Sequence, residues 1–147
     1  MNNKNFYLLY GEDSAVLNKE IDNLKISLSI NDDDVIYYDI NNVNDIIDEA
    51  LTMSMFSLNK FIIIDGTCYL SEKKEVSDIK LLEDYFEHYN IDTYLVFISN
   101  KDNVDSKKKL VKLITSKGIC KKVEATDEYI DKYVSNYLST NKYKINS

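Results

Sequence analysis

Few residues in this chain are of a type and spacing that could do chemistry. They are Gly11, Glu12 and Asp13 after the first apolar run, Asp65 after the third, Ser99 and Asn100 after the fourth, the lysines 107–109 and the single histidine, His88. A phosphate loop needs Gly, four residues, then Gly, Lys and Ser or Thr, because backbone amides must wrap the phosphate while the Lys neutralises it. Counted from Gly11, those last three positions hold Val16, Leu17 and Asn18, so only the first glycine survives. Glu12 and Asp13 stand where the phosphate would approach, and each would oppose it by about 1 kcal/mol at about 4 Å even in water. The expectation is a capped helix start in place of a nucleotide site.

Asp65 sits where a Walker B strand would carry its metal-binding Asp, but Gly66 and Thr67 follow in place of a catalytic acid. A helix cap or loop solvation is the simpler reading. Ser99 and Asn100, at the end of strand four, read as a polar sensor or, more simply, as a turn. Lys107, Lys108 and Lys109 form a basic cluster near a helix start, either a solvated face or a candidate DNA contact. His88 has no partners for a catalytic triad and reads as a surface residue near a helix end. The 12 tyrosines lack interleaved basic residues and do not form a base-stacking platform.

Composition narrows the classes further. The chain has 147 residues, 44% of them hydrophobic and 29% charged, enough for one folded domain with a short piece of a second. Its net charge of -7 disfavours wholesale binding to phosphate backbones. Every basic residue is Lys, so the two-pronged guanidinium of arginine fingers is missing, which argues against phosphoryl transfer. Cys68 and Cys120 lie far apart, and with one His they offer no metal-ligand spacing. No cofactor and no metal are expected. There is no signal-peptide pattern and no apolar run of membrane-spanning length, so the expectation is a cytoplasmic protein with no membrane partner.

The elements that must position these residues alternate in βα order. Strands are expected at Phe6 to Tyr10, Val35 to Tyr38, Phe61 to Ile64, Tyr94 to Ile98 and Ile119 to Val123, the last more polar and suited to an edge. Between them run helical stripes. The first carries Leu17, Ile21, Leu24 and Leu28 behind an Asp13 or Ser14 cap, and the second Val43, Ile46, Ile47, Ala50 and Leu51 behind Asn42. The third carries Val76, Ile79, Leu82 and Phe86, and the fourth Leu110, Leu113 and Ile114 between Asp105 and Gly118. Nearly continuous apolar strands imply a parallel sheet covered on both faces, hence a three-layer α/β/α sandwich with five parallel strands. After Ala125 the pattern changes to one amphipathic helix with Tyr129, Ile130, Tyr133, Val134, Tyr137 and Leu138, which places a domain boundary near residue 125.

The segments Tyr7 to Asp13 (YLLYGED), Tyr38-Asp39 and above all Leu51 to Asp65 (LTMSMFSLNKFIIID) resemble the delta subunit of the bacterial clamp loader of DNA polymerase III. The similarity runs over essentially the whole chain. It implies an AAA+-like, P-loop-like module over residues 1–125 whose nucleotide loop (Gly11, Glu12, Asp13) has degenerated. Residues 126–147 would begin a helical lid domain, with the rest of the lid and the collar domain absent. It also implies a non-catalytic role in DNA replication within the polymerase holoenzyme: binding and opening the beta sliding clamp without binding ATP. The other expected partners are the gamma/tau and delta prime loader subunits, with DNA contacted weakly or indirectly. In the family a Leu-Phe pair after the second helix enters a hydrophobic pocket on the clamp. Here the corresponding residues are Met55 and Phe56, with Ser54 and Thr52 beside them, and Met for Leu keeps volume and apolarity.

One alternative also fits the spacing. A response-regulator receiver domain has five βα units, acidic residues after strand one (Glu12, Asp13), a phosphoacceptor Asp after strand three (Asp65) and a hydroxyl after strand four (Ser99). It lacks the expected Lys-Pro at strand five, since Lys121 and Lys122 lie within the strand and the chain has no Pro.

Overall fold

The computed structural model describes residues 4–52 and 59–124. The expected lid helix, and Ser54, Met55 and Phe56, lie outside these described residues. Five parallel strands, β1 (Phe6–Tyr10), β2 (Val35–Asp39), β3 (Lys60–Asp65), β4 (Thr93–Ser99) and β5 (Ile119–Lys122), form one sheet in the order β2-β3-β4-β1-β5. Side chains alternate across it. Phe6, Leu8, Ile62, Ile64, Leu95 and Phe97 pack under α2 (Val43–Leu51), the short α3 (Thr67–Leu70), α4 (Ile79–Tyr85) and α5 (Lys109–Lys117). Tyr7, Leu9, Phe61, Ile63 and Val96 meet α1 (Ser14–Ser27) on the other face. The three layers are therefore as expected, with, among the described residues, four α-helices on one side and one on the other.

The central strands are buried along nearly their whole length, as near-continuous apolar sequence requires in a sheet covered on both faces. Both outer strands differ. β5 is polar and open, and β2 is the second edge, with Tyr37 70% exposed. Among the described residues no helix is long and apolar enough to cross a membrane, and no group of His, Cys, Asp and Glu could hold a metal ion.

Three local readings are corrected. The stripe Val76, Ile79, Leu82, Phe86 is not one helix. Val76 is buried from a loop, Lys73 and Asp78 take left-handed φ of 61° and 63°, and α4 starts only at Ile79. Spacing of three or four reports which side faces the core, and a loop can meet that requirement as well as a helix. Asp105 caps a turn through the Lys107 amide (3.0 Å), while α5 starts four residues later with Lys108 at its N-cap position. Asn42 stands at the N-cap position of α2 without a side-chain cap bond; the capping carboxylate is that of Asp39, which accepts from the Asn41 amide of the preceding 3-10 turn (2.9 Å).

Candidate functional site

In an open parallel sheet a ligand enters at the carboxyl ends of adjacent strands whose connections leave on opposite faces. Here those strands are β1 and β4, since α1 and α5 lie on opposite sides. The crevice between them is closed by the fold's own bonds. The Gly11 amide donates to Ser99 O (3.1 Å), and the Gly66 amide donates to Ile98 O one strand over (2.8 Å). Asp13 Oδ1 accepts from the Ala15 and Val16 amides at 3.0 and 3.3 Å, so the first free N–H groups of α1 are met by a carboxylate of the same chain. Such a cap contributes about 1 kcal/mol. Glu12 stays exposed beside it.

Gly11 survives for a reason unrelated to phosphate. A Cβ there would lie 2.0 Å from Val123 O, because the chain leaving β5 passes directly over it and Val123 N donates to Tyr10 O (2.7 Å). Gly11→Ala is expected to cost about 1–3 kcal/mol of stability, since backbone has to move away from backbone. A lower urea midpoint at unchanged slope is the predicted reading. An unchanged midpoint would show that the two segments part freely.

The remaining polar groups on this rim are likewise spent on structure. Asp65 Oδ1 accepts from the Thr67 amide (3.0 Å) and hydroxyl (2.8 Å), which holds the turn into α3 with Gly66 at its N-cap position, and the Asn100 amide donates to Thr67 Oγ1 (3.1 Å). Ser99, read from sequence as part of a turn, is fully buried. Its hydroxyl meets Ser71 Oγ at 2.6 Å and accepts from the Lys101 amide (3.4 Å), while Ser71 Oγ donates to Asn103 O (2.6 Å). With the Ser71 proton committed to Asn103, the Ser99 hydroxyl donates to Ser71, and both hydroxyls, the buried one of Ser99 included, are satisfied. Cys120 offers no nucleophile either: burial pushes its thiol pKa up, which keeps it protonated at neutral pH.

The strand order removes the receiver-domain alternative. That architecture has the order 2-1-3-4-5, which seats the acidic residues after strand one beside the strand-three Asp. In this chain β4 separates β1 from β3, so Glu12 and Asp13 stand two strands from Asp65, roughly 10 Å across the sheet.

The lysine cluster does not act as one unit. Lys108 Nζ lies 3.7 Å above the centre of the Tyr69 ring, which engages its charge, whereas Lys107 and Lys109 are exposed. His88 is also exposed, just beyond α4.

At the opposite, amino-terminal edge of the sheet, Thr52 ends α2. Its amide and hydroxyl both donate to Asp48 O, at 3.1 and 2.5 Å. Sequence reasoning passed over Lys60, the first residue of β3, which is only 7% exposed. Its ammonium donates to Glu49 Oε2 (2.8 Å), to Glu49 O (2.7 Å) and to Thr52 O. The signal was a lysine directly before the all-apolar run Phe61 to Ile64, where solvent access is least expected.

Comparison with known proteins follows the same architecture. Residues 7–124 match the family described as DNA polymerase III, delta subunit. No curated protein matches the sequence. Among solved structures, the Bacillus subtilis DNA clamp loader delta protein superposes with a TM-score of 0.72 at 17% identity, over 95% of this chain and 44% of that one. A DNA polymerase III gamma subunit-related protein from Thermotoga maritima superposes with a TM-score of 0.57 at 16% identity, over 88% of this chain and 44% of that one. The chain thus spans less than half the length of either protein, and at these identities the likeness is one of fold.

Proposed function

The chain belongs to the DNA polymerase III delta subunit family, as the match over residues 7–124 shows, and from that premise we propose that it binds and opens the beta sliding clamp without binding ATP. The family is one of DNA replication, and in this reading the chain acts as a non-catalytic clamp-loader component. The observation that carries the ATP-independent part is the closed turn after β1. Gly11 N is bonded to Ser99 O and Asp13 occupies the first amides of α1, so the place of a phosphate cradle is taken by the fold's own carboxylate.

Contact with the clamp is assigned to Met55 and Phe56, with Ser54 and Thr52 flanking. Burying both large side chains would contribute roughly 3–6 kcal/mol, while association costs at least about 4 kcal/mol of rigid-body freedom. The pair therefore anchors a wider contact. Opening follows if the bound module favours a clamp conformation with a sprung interface, because a ligand shifts an equilibrium only through differential affinity. Residues 1–125 form the AAA+-like domain in this reading, and 126–147 begin the lid. The gamma/tau and delta prime subunits are the further partners, with the cytoplasm as the setting. Any DNA contact falls to Lys107 and Lys109, with Lys108 already engaged on Tyr69.

Titration of the purified chain into the sliding clamp of the same organism, followed by calorimetry, tests the proposal. Saturable binding that is indifferent to ATP and magnesium is expected. No heat of association at concentrations well above micromolar, or binding that requires ATP, would overturn it.

A further inference from the structure

The two edges of the sheet are finished differently. β5 carries Lys121 and Lys122, with Lys121 Nζ on Glu20 Oε1 (2.6 Å), and lysines on an edge strand deter further pairing. β2 has no such guard. Its sequence, VIYYD, joins four good strand formers to one Asp, without Lys, Pro or a bulge, and its register with β3 runs unbroken from Val35 and Phe61 to Asp39 and Asp65. Among the described residues nothing pairs with its outer side, so main-chain donors and acceptors stand open there. The carboxyl half of β2 is also uncovered on the α1 face: Tyr37 is largely exposed, and a groove of about 440 Å³ lies beside it over Ile63 and Ile98.

Acidic groups bracket this edge. Asp33 and Asp34 precede β2, and Asp39 ends it beside its register partner Asp65 on the same face. Asp39 Oδ1 accepts from the Asn41 amide (2.9 Å) and Asp65 Oδ1 from the Thr67 amide (3.0 Å), which fixes both carboxylates. Among the described residues neither Oδ2 meets a donor, and none of these four Asp residues forms an ion pair. Like charges in register on neighbouring strands repel, so a second copy of this chain is a poor occupant. Parallel pairing would set Asp39 against Asp39, and antiparallel pairing would set it against the acidic stretch 32–34 of the other copy.

We infer that the outer edge of β2 is a docking site for an extended, basic segment of a protein partner, which adds a sixth strand to the sheet. The segment's main chain meets the open edge, and an apolar side chain between its basic ends lies on Tyr37. Those ends meet Asp33 and Asp34 on one side and Asp39 and Asp65 on the other. The unpaired edge selects an extended chain, and the four carboxylates select its charge. The surface shares no residue with the proposed clamp contact and is tested without the clamp.

The test titrates the whole chain at low salt with three capped, fluorescent peptides, KKTVTVKK, EETVTVEE and KKTPTPKK, and follows amide exchange in residues 35–39. KKTPTPKK keeps the charge of the first peptide but loses main-chain donors, so it separates strand addition from attraction alone. Saturable binding of KKTVTVKK is expected, with both other peptides weaker by about tenfold or more and exchange in β2 slowed several-fold. Asp39→Asn with Asp65→Asn keeps an Oδ1 acceptor for each turn while removing both charges, and is expected to weaken KKTVTVKK about tenfold with an unchanged circular dichroism spectrum. Equal binding of KKTVTVKK and KKTPTPKK overturns the inference, as does unchanged exchange in β2 or the absence of binding. A free chain that sediments as a dimer with β2 already protected from exchange also overturns it, because a second copy would then hold the edge. Should the double variant not fold, the comparison of the three peptides on the unaltered chain decides by itself.

Discussion

Replacing Met55 and Phe56 together by Ala is expected to lower affinity for the sliding clamp by two orders of magnitude or more while leaving the fold intact. Two apolar side chains of this size carry roughly 3–6 kcal/mol of burial. About 1.4 kcal/mol corresponds to a factor of ten, so even the lower bound gives about a hundredfold. The stability of the isolated chain should not change in step. The stripe of α2 that feeds the core consists of Val43, Ile46 and Ala50, all buried, and Leu51, the last residue of the helix, is already 56% exposed. Calorimetry against the clamp and a thermal melt of the free variant together make the check. Loss of fold without loss of affinity per folded molecule would mean that the pair belongs to the core, and the docking assignment would then fall.

Phe6→Ala should produce the largest loss of stability, about 3–5 kcal/mol. Phe6 is 1% exposed at the start of a central strand. Its ring stacks on Phe86 with centroids 3.9 Å apart and meets Tyr85 and Tyr89 edge-on at 6.2 and 5.1 Å. Its carbonyl also lies where a Cβ on Gly118 would fall, at 1.9 Å, so the strand cannot settle into the space left by the ring without disturbing the turn into β5. A loss of this size is a large share of the roughly 5–15 kcal/mol that holds a domain together. Urea unfolding of the variant measures it. A cost below about 1 kcal/mol would show that the aromatic cluster at the end of α4 and just beyond it collapses into the cavity.

Much of the candidate site was legible because erosion of a motif is a local property. The absence of Gly, Lys and a hydroxyl residue at Val16, Leu17 and Asn18 can be counted along the chain, and the Asp13 cap follows from its place before an apolar stripe. What Gly11 does instead could not be counted, because the carbonyl it makes room for belongs to Val123, more than a hundred residues away. Ser99 was underestimated on the same ground: its hydroxyl partner, Ser71, belongs to the segment after α3. Lys60 was passed over although its place before an all-apolar run signals burial, and its acceptors at Glu49 and Thr52 follow only from how α2 packs beside β3.

The amino-acid sequence alone determined the five strands, the helices bearing the main apolar stripes, the parallel and doubly covered character of the sheet, the absence of a phosphate-loop motif after the first strand and the family, since each rests on short-range periodicity or on contiguous motifs. Only the tertiary structure decided that β4 lies between β3 and β1, which set Asp65 apart from Glu12 and Asp13 and removed the receiver alternative. Only it revealed the tie from Lys60 to Glu49 and Thr52. Strand order and buried polar pairings are long-range choices among neighbours, made by packing and hydrogen-bond satisfaction across the whole sheet, and local periodicity does not encode them.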